Sequence, residues 1–313
     1  MPARTMTKRR HHYLPQFYLR NFIDSAGRIW AYPKLGGKAK RASPRDLGVE
    51  KDYHTFTRKD GIKDRATIEE AFADIENEAA PTVRKIIGKE PLSTAEYEIF
   101  VTFVGTMLVR VPARCDQVGR MAAKMMKVIA TTSASKKNAF HAEYQRFEAG
   151  TGHRGADAEE IRQFVLSDKY EMRTNPKIAL AFSLQTLHTV TNCLAQMDWI
   201  FLQRTGRFQF LSCDNPVFYC DPTLPPTTWR GIGLMNRGIE VSVPLSPNVL
   251  AFGSYHSKER KSMQIEPEVV RIFNQRTIDS AYRYVFASEA SEKIQAFISR
   301  NNDAIAPVEP YVR

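Results

Sequence analysis

Two adjacent histidines, His11 and His12, open the segment H-H-Y-L-P-Q-F-Y-L-R-N-F, whose other members are mostly aromatic or aliphatic. An imidazole among apolar neighbours can act as a general acid or base, ligate a metal, or donate to a phosphate. His12 is the candidate for such a role, the alternative being a ring satisfied by backbone groups. His11 follows the run Lys8-Arg9-Arg10 directly and is expected at the surface. Arg20 lies among apolar residues, and a guanidinium buried there needs an anion beside it. That anion is either a structural carboxylate or the phosphate or carboxylate of a substrate. Phe17, Tyr18, Leu19 and Phe22 are expected in the core.

Further along, Glu69 and Glu76 stand seven residues apart within I-E-E-A-F-A-D-I-E. On a helix this places them at the edge of the apolar stripe, two turns and about 10 Å apart. Two carboxylates facing one cleft can hold Mg²⁺ or Mn²⁺, or divide acid and base roles. The alternative is a solvated, ion-paired helix edge. Arg110, just before Val111-Pro112, is a candidate anion clamp whose structural alternative is a salt bridge to Glu69 or Glu76. The corner Ser212-Cys213-Asp214-Asn215-Pro216-Val217 ends an expected strand. It reads equally as an Asx turn or as a place that presents a catalytic carboxylate. Asn274, in an apolar helical turn, either caps or lines a pocket.

Charge and composition narrow the classes. Residues 1–45 hold eleven Lys/Arg and one acid, Asp24, so they account for +10 of the net +11. A basic lobe on a near-neutral body suits a phosphate-rich partner, because its cations release counterions from nucleic acid. The bland alternative is a basic surface that aids solubility. No run of 18 apolar residues exists, so no membrane span is expected. The basic N-terminus is followed by no apolar segment of the kind a secretory signal needs. Cys115, Cys193, Cys213 and Cys220 are scattered, with no C-x-x-C pair, and free thiols in a reducing cytoplasm are expected. The phosphate-loop, dinucleotide-binding, zincin and nucleophile-elbow motifs are absent.

These residues need elements to position them. Arg28–Tyr32 alternates as a strand, Lys34–Arg45 reads as an exposed loop, and residues 52–56 as a short strand. Apolar residues from Ile68 to Ile86 recur at helical spacing, with Pro81 expected to kink or restart the helix. Ser93-Thr94-Ala95-Glu96 is a capping box opening a helix that ends near Pro112. Helical character continues to Met197, with an N-cap at Asn175-Pro176. Residues 199–202 and 208–211 read as a β-hairpin. Strands follow at 239–243, 249–252 and 284–286, with helices over 267–281 and from Ser288 to about 299. The fold class is α+β: a helical middle with a mostly antiparallel sheet from the C-terminal half and an N-terminal strand. The expected organisation is a basic tail (1–10), a single domain (11–300) with helical part 65–197 and sheet-rich part 198–287, and a C-terminal tail (301–313).

The stretch His12-Tyr13-Leu14-Pro15-Gln16-Phe17-Tyr18-Leu19-Arg20-Asn21-Phe22 resembles the H-Y-x-P-x-F-Y-L-R-x-F signature of the microbial family Domain of Unknown Function 4238. The likeness continues in order through Glu69 and Glu76, Arg110-x-Pro112, the Asp214-Asn215-Pro216 corner, Pro244–Pro247 and Asn274. An extra cysteine, Cys213, departs from the family's corner. The resemblance spans residues 10–290 and implies kinship without an established activity. Its recurring polar residues suggest one site. The sharpest expectation is a nuclease-like phosphodiesterase, in a defence or mobile-element setting. His12, Glu69, Glu76 and Asp214 would do acid/base work or bind Mg²⁺ or Mn²⁺, with Asp214 and Glu76 as ligands. Arg20 and Arg110 would stabilise phosphate charge. Lys8, Arg9, Arg10, Asn215 and Asn274 would bind, with nucleic acid held through residues 1–45. The alternatives are a non-catalytic nucleic-acid or protein binding module with a structural polar cluster, and a sensor of a small anion or nucleotide.

Overall fold

Arg10, His11 and His12 are exposed, buried and half-buried in turn and form a short strand, β1 (Arg10–His12), since a strand sends successive side chains to opposite faces. That alternation turns His11 inward, where it is fully buried, correcting the surface position expected from the neighbouring basic run. The chain is described by a computed structural model over residues 9–152, 155–225, 233–256 and 262–301. Lys8 lies outside these residues.

Pro15, extended at ψ 135°, precedes α1 (Gln16–Leu19). Tyr18, Leu19 and Phe22 are fully buried, and Phe17 packs its ring 5.2 Å from that of Phe103. Tyr18 ties the segment to distant chain: its hydroxyl donates to the Pro244 carbonyl at 2.9 Å and accepts from Ser212 Oγ at 2.7 Å. Arg20 starts a short 3₁₀ turn that directs it outward; it is exposed and donates to Gln16 Oε1 at 3.3 Å. The buried guanidinium expected at this position is therefore not there.

After β2 (Ile29–Pro33) and β3 (Lys40–Ala42), β4 (Val49–Lys51) returns to pair antiparallel with β1, matching His11 with Glu50 and His12 with Val49. Residues 34–45, expected as loop, thus contain a strand, since β3 pairs with β2. Gly48 makes the return to β1 possible. Its φ is +59°, and a Cβ there would stand 2.6 Å from that of Leu14, while its carbonyl accepts from the Tyr13 and Leu14 amides. The small hairpin of β5 (Phe56–Thr57) and β6 (Lys63–Asp64) leads into α2 (Thr67–Ile87). This helix runs unbroken through Pro81.

The next helix, α3 (Thr94–Val109), starts at the predicted capping box: Ser93 Oγ accepts from the Glu96 amide and the Glu96 carboxylate from the Ser93 amide. Every residue from Phe103 to Val109 is buried. A helix apolar all round belongs at the centre of a core, and α2 packs against it. The chain then forms α4 (Pro112–Ser135), α5 (Lys137–Thr151), α6 (Ala158–Leu166), α7 (Pro176–Gln185) and α8 (Leu187–Ala195). Residues 115–183 make up a compact helical unit of their own. Inside it Arg162 donates to the Ala134 carbonyl at 3.0 Å and to Glu159 at 2.7 Å. The other compact unit combines residues up to 114 with those from 184 onward.

In that larger unit, α8 packs on α3 and leads to β7 (Asp198–Arg204), β8 (Ser212–Cys213), β9 (Phe218–Cys220), β10 (Glu240–Ser246), β11 (Val249–Ser254) and β12 (Ser262–Ile265). Then come α9 (Pro267–Ser280), β13 (Tyr284–Ala287) and α10 (Glu292–Arg300). One sheet has the order β12-β7-β11-β10-β9, antiparallel except for β12 against β7. The other, β3-β2-β13-β8, is antiparallel and joins N-terminal to C-terminal strands. The fold is α+β. The hairpin expected over 199–211 does not form. Strand β7 pairs with β11 and β12, while residues 208–211 lie outside any strand. Side chain and loop satisfy that backbone instead: Asn274 Oδ1 accepts from the Leu211 amide, Asn274 Nδ2 donates to the Gln209 carbonyl, and the Phe210 amide donates to Pro247. The four cysteines are free and buried, and no described helix is long and apolar enough to cross a membrane.

Candidate active site

Glu69, Phe72 and Glu76 fall at i, i+3 and i+7 on α2 and so share one face. Three other segments bring partners to that face. Strand β1 supplies His11. A turn after β4 supplies His54; it is set by Asp52, whose φ is +54° and whose amide donates to the Arg9 carbonyl at 2.6 Å. The C-terminal end of α3 supplies Arg110.

The two histidines and Glu69 form one cluster. The rings of His11 and His54 stack with centroids 5.7 Å apart and planes 12° from parallel. The His54 amide donates to His11 Nδ1 at 2.8 Å, so that nitrogen carries no proton. His54 Nδ1 is hydrogen-bonded to Glu69 Oε1, and the same oxygen lies 4.0 Å from His11 Nδ1. Burial pushes the His54 ring down to a pKa of about 4; the bond to Glu69 opposes this and recovers only part. His54 is thus neutral at pH 7, with its Nδ1–H donating to a carboxylate. For Glu69, burial works to raise the pKa, but the hydrogen bond from His54 and the electrostatic field around it, including that of the Arg110 guanidinium, outweigh it and hold the group below the ordinary range. Glu69 keeps 29% of its side-chain surface, so solvent reaches the cluster from its side.

Arg110 sits beneath the other end of the face. Its side chain is 1% exposed; Nη1 donates to Glu76 Oε1 at 2.8 Å and the guanidinium carbon lies 4.8 Å from the centroid of Phe72. The other side of the cluster meets the same ring, since His54 packs edge-on to it at 5.0 Å. Three buried polar atoms here have no hydrogen-bond partner: His54 Nε2, Arg110 Nε and Arg110 Nη2. His12 borders the group, half-buried, with Nε2 donating to the Arg45 carbonyl at 3.1 Å. Burial lowers its pKa, against the Arg45 hydrogen bond and the fields of Glu69 and Glu76.

Of the residues singled out in the sequence, the fold therefore gathers His12, Glu69, Glu76 and Arg110. It does not bring Arg20 or Asp214 into their contacts. Asp214 is buried and its two oxygens accept from the Tyr282 and Arg283 amides at 2.8 Å each, while its own amide donates to Tyr284. Burial raises its pKa, with those amides opposing. Asn215 Nδ2 donates to the Ser280 carbonyl, and Asn274 clamps residues 209–211. These three side chains brace the backbone around β8, α9 and β13. The ligand pair Asp214 and Glu76 shares no partner, since Glu76 faces Arg110. Arg9 donates to Asp52 at 2.6 Å, and Arg10 donates to Asp46 at 2.9 Å and to the Arg45 carbonyl at 3.2 Å.

Sequence reasoning missed His11 and His54. Strand alternation from the exposed Arg10 could have turned His11 inward. Nothing local marks His54, which meets His11 only through pairing across 43 residues.

Residues 10–291 match the family described as Protein of unknown function (DUF4238). No curated protein and no solved structure matches the chain.

Proposed function

The chain belongs to this DUF4238 family, whose description states no activity, and from its site we propose that it hydrolyses phosphodiester bonds in nucleic acid. The observation that carries this reading is Arg110. One arm of its guanidinium is fixed by Glu76, while Nε–H and Nη2–H are buried and without a protein partner. Buried donors left open in this way call for a ligand or an ordered water. A guanidinium fork held in low dielectric suits two oxygens of a phosphoryl group. Beside it, His54 and Glu69 supply the means to activate water. In the reaction a water oxygen bonds to phosphorus, the P–O ester bond breaks, the site takes up the water's proton, and the leaving oxygen is protonated. Arg110 offsets the negative charge that builds on the phosphoryl oxygens. Arg9 and Arg10 lead the polyanion towards the cluster, because β1 carries the exposed Arg10 next to the buried His11. The ion pair of Arg10 with Asp46 is exposed on both sides and weak enough to be exchanged for a phosphate.

The test is cleavage of labelled single- and double-stranded DNA and RNA, with and without divalent ions. Cleavage of at least one substrate is expected, reduced in Arg110→Ala by roughly 10²–10³-fold, as for loss of a donor to a developing oxyanion. Arg110→Lys is expected to stay impaired, since an ammonium lacks the fork. Absence of cleavage, or full cleavage by folded Arg110→Ala, overturns the proposal. A second reading, a binding module, is favoured by the way Asp214, Asn215 and Asn274 all serve backbone groups. Binding of nucleic acid without cleavage by the wild type would select it.

A further inference from the structure

We infer that His11, His54 and Glu69 bind a single divalent ion of the zinc class. The inference deepens the hydrolase reading: it makes the ion, with its bound water, the water-activating element and His54 a ligand. Each residue offers one ligand atom, and the three atoms lie within 4.8 Å of one another. Glu69 Oε1 is the hub, bonded to His54 Nδ1 and 4.0 Å from His11 Nδ1. In a tetrahedral site with bonds of about 2.0–2.1 Å, ligand atoms stand roughly 3.3 Å apart. Reaching that spacing would draw Glu69 Oε1 away from His54 Nδ1 and turn His11 Nδ1 from the His54 amide towards the ion. The ligands come from three separate elements, β1, the turn after β4 and the first turn of α2, and both rings are fully buried.

The donor chemistry selects the ion. Two imidazoles and one carboxylate favour zinc, cobalt, nickel, iron or manganese, whereas magnesium prefers oxygen ligands and its own waters. Three protein ligands leave a fourth position for water, the arrangement of catalytic zinc sites. His54 Nε2 is buried and without partner. With Nδ1 on the ion, Nε2 would carry the proton and would need a water or a substrate oxygen to accept from it. The carboxylate pair first expected to hold a metal, Asp214 and Glu76, is poorly suited. Asp214 is occupied by backbone amides, and Glu76 already faces the Arg110 guanidinium. Loading has a structural signature too. His11 Nδ1 accepts from the His54 amide, so binding would exchange that hydrogen bond for the ion.

The experiment uses the full chain, stripped with chelator and titrated with Zn²⁺, Co²⁺ and Mg²⁺. It reads bound metal by mass spectrometry and Co²⁺ coordination by visible absorption. One Zn²⁺ or Co²⁺ per chain is expected, bound at least about 100-fold more tightly than Mg²⁺. Glu69→Gln, which keeps the side-chain shape, is expected to lose the tetrahedral Co²⁺ bands and at least tenfold in affinity. Glu76→Gln is expected to keep both stoichiometry and spectrum. Circular dichroism confirms that each variant is folded. No bound Zn²⁺ at micromolar concentrations, or Zn²⁺ binding unchanged in Glu69→Gln, overturns the inference. Metal bound in this way by a protein that cleaves no nucleic acid supports this site and removes the hydrolase reading. Cleavage by a protein that binds no Zn²⁺, and that persists in chelator, removes the metal site and leaves the hydrolase reading standing.

Discussion

His54 is kept neutral by its burial, which lowers its pKa to about 4, and this has a consequence for stability. In the unfolded chain the same ring titrates near 6.5. As pH falls from 6.5 towards 4, the unfolded state takes up a proton that the folded state excludes. The folded form therefore loses stability across that window and keeps it in full above it. At 1.36 kcal/mol per pKa unit the loss is about 3 kcal/mol by pH 4. Glu69 adds to the trend at its acid end. Its pKa is held below the ordinary value, so its contribution is present above the carboxylate range and is lost as pH falls through it. Urea unfolding of the metal-free protein at pH 7.5, 5.5 and 4.5 reads the sum. His54→Gln is expected to flatten the slope between pH 6.5 and 4. A wild-type curve already flat there would show that the ring takes up its proton without unfolding.

Elements succeed or fail in the sequence according to where their hydrogen bonds go. The capping box of α3 is local, and Ser93 and Glu96 close it where the spacing places it. The long apolar stripe of α2 is local as well, and Glu69 and Glu76 share one face of it as their spacing predicts. Residues 208–211 alternate like a strand, yet their amides and carbonyls meet Asn274 and Pro247, more than 30 residues away. No pattern within the segment reports such a partner. The same holds for the site: His12 and Arg110 carry local signals, whereas His54 acquires its place from the β1–β4 pairing and a left-handed Asp52. Asn274 gives this argument a test. Asn274→Leu removes the partners of one buried amide and one carbonyl, which costs about 1–3 kcal/mol for each group left unsatisfied. A fall in melting temperature is expected with unchanged Zn²⁺ stoichiometry. Loss of bound metal in a variant that stays folded would place Asn274 in the site rather than in the frame.

At the scale of the whole molecule, the chain's charge asymmetry and its polar cluster converge on β1. Residues 1–45 carry +10 of the net +11, and β1 lies within them. The Arg45 carbonyl accepts from both Arg10 and His12, so the edge of the basic surface and the rim of the site share an anchor. Arg10 is exposed, and its pair with Asp46 is more than half exposed on both sides. Such a pair contributes little to folding and leaves the guanidinium available to a phosphate. For a polyanion bound here, the logarithm of affinity falls with the logarithm of salt by roughly 0.9 for each phosphate neutralised in duplex DNA. Arg10→Ala is expected to reduce that slope by about one phosphate contact, with weaker binding to every sequence alike. Lys137→Ala, in the separate helical unit, is expected to leave the slope as it is. Fluorescence anisotropy of a labelled duplex between 50 and roughly 200 mM salt measures both. Equal slopes for wild type and Arg10→Ala would detach the basic edge from nucleic-acid binding. Arg110 would then have to be explained by a small anion that reaches the cluster without a polymer behind it.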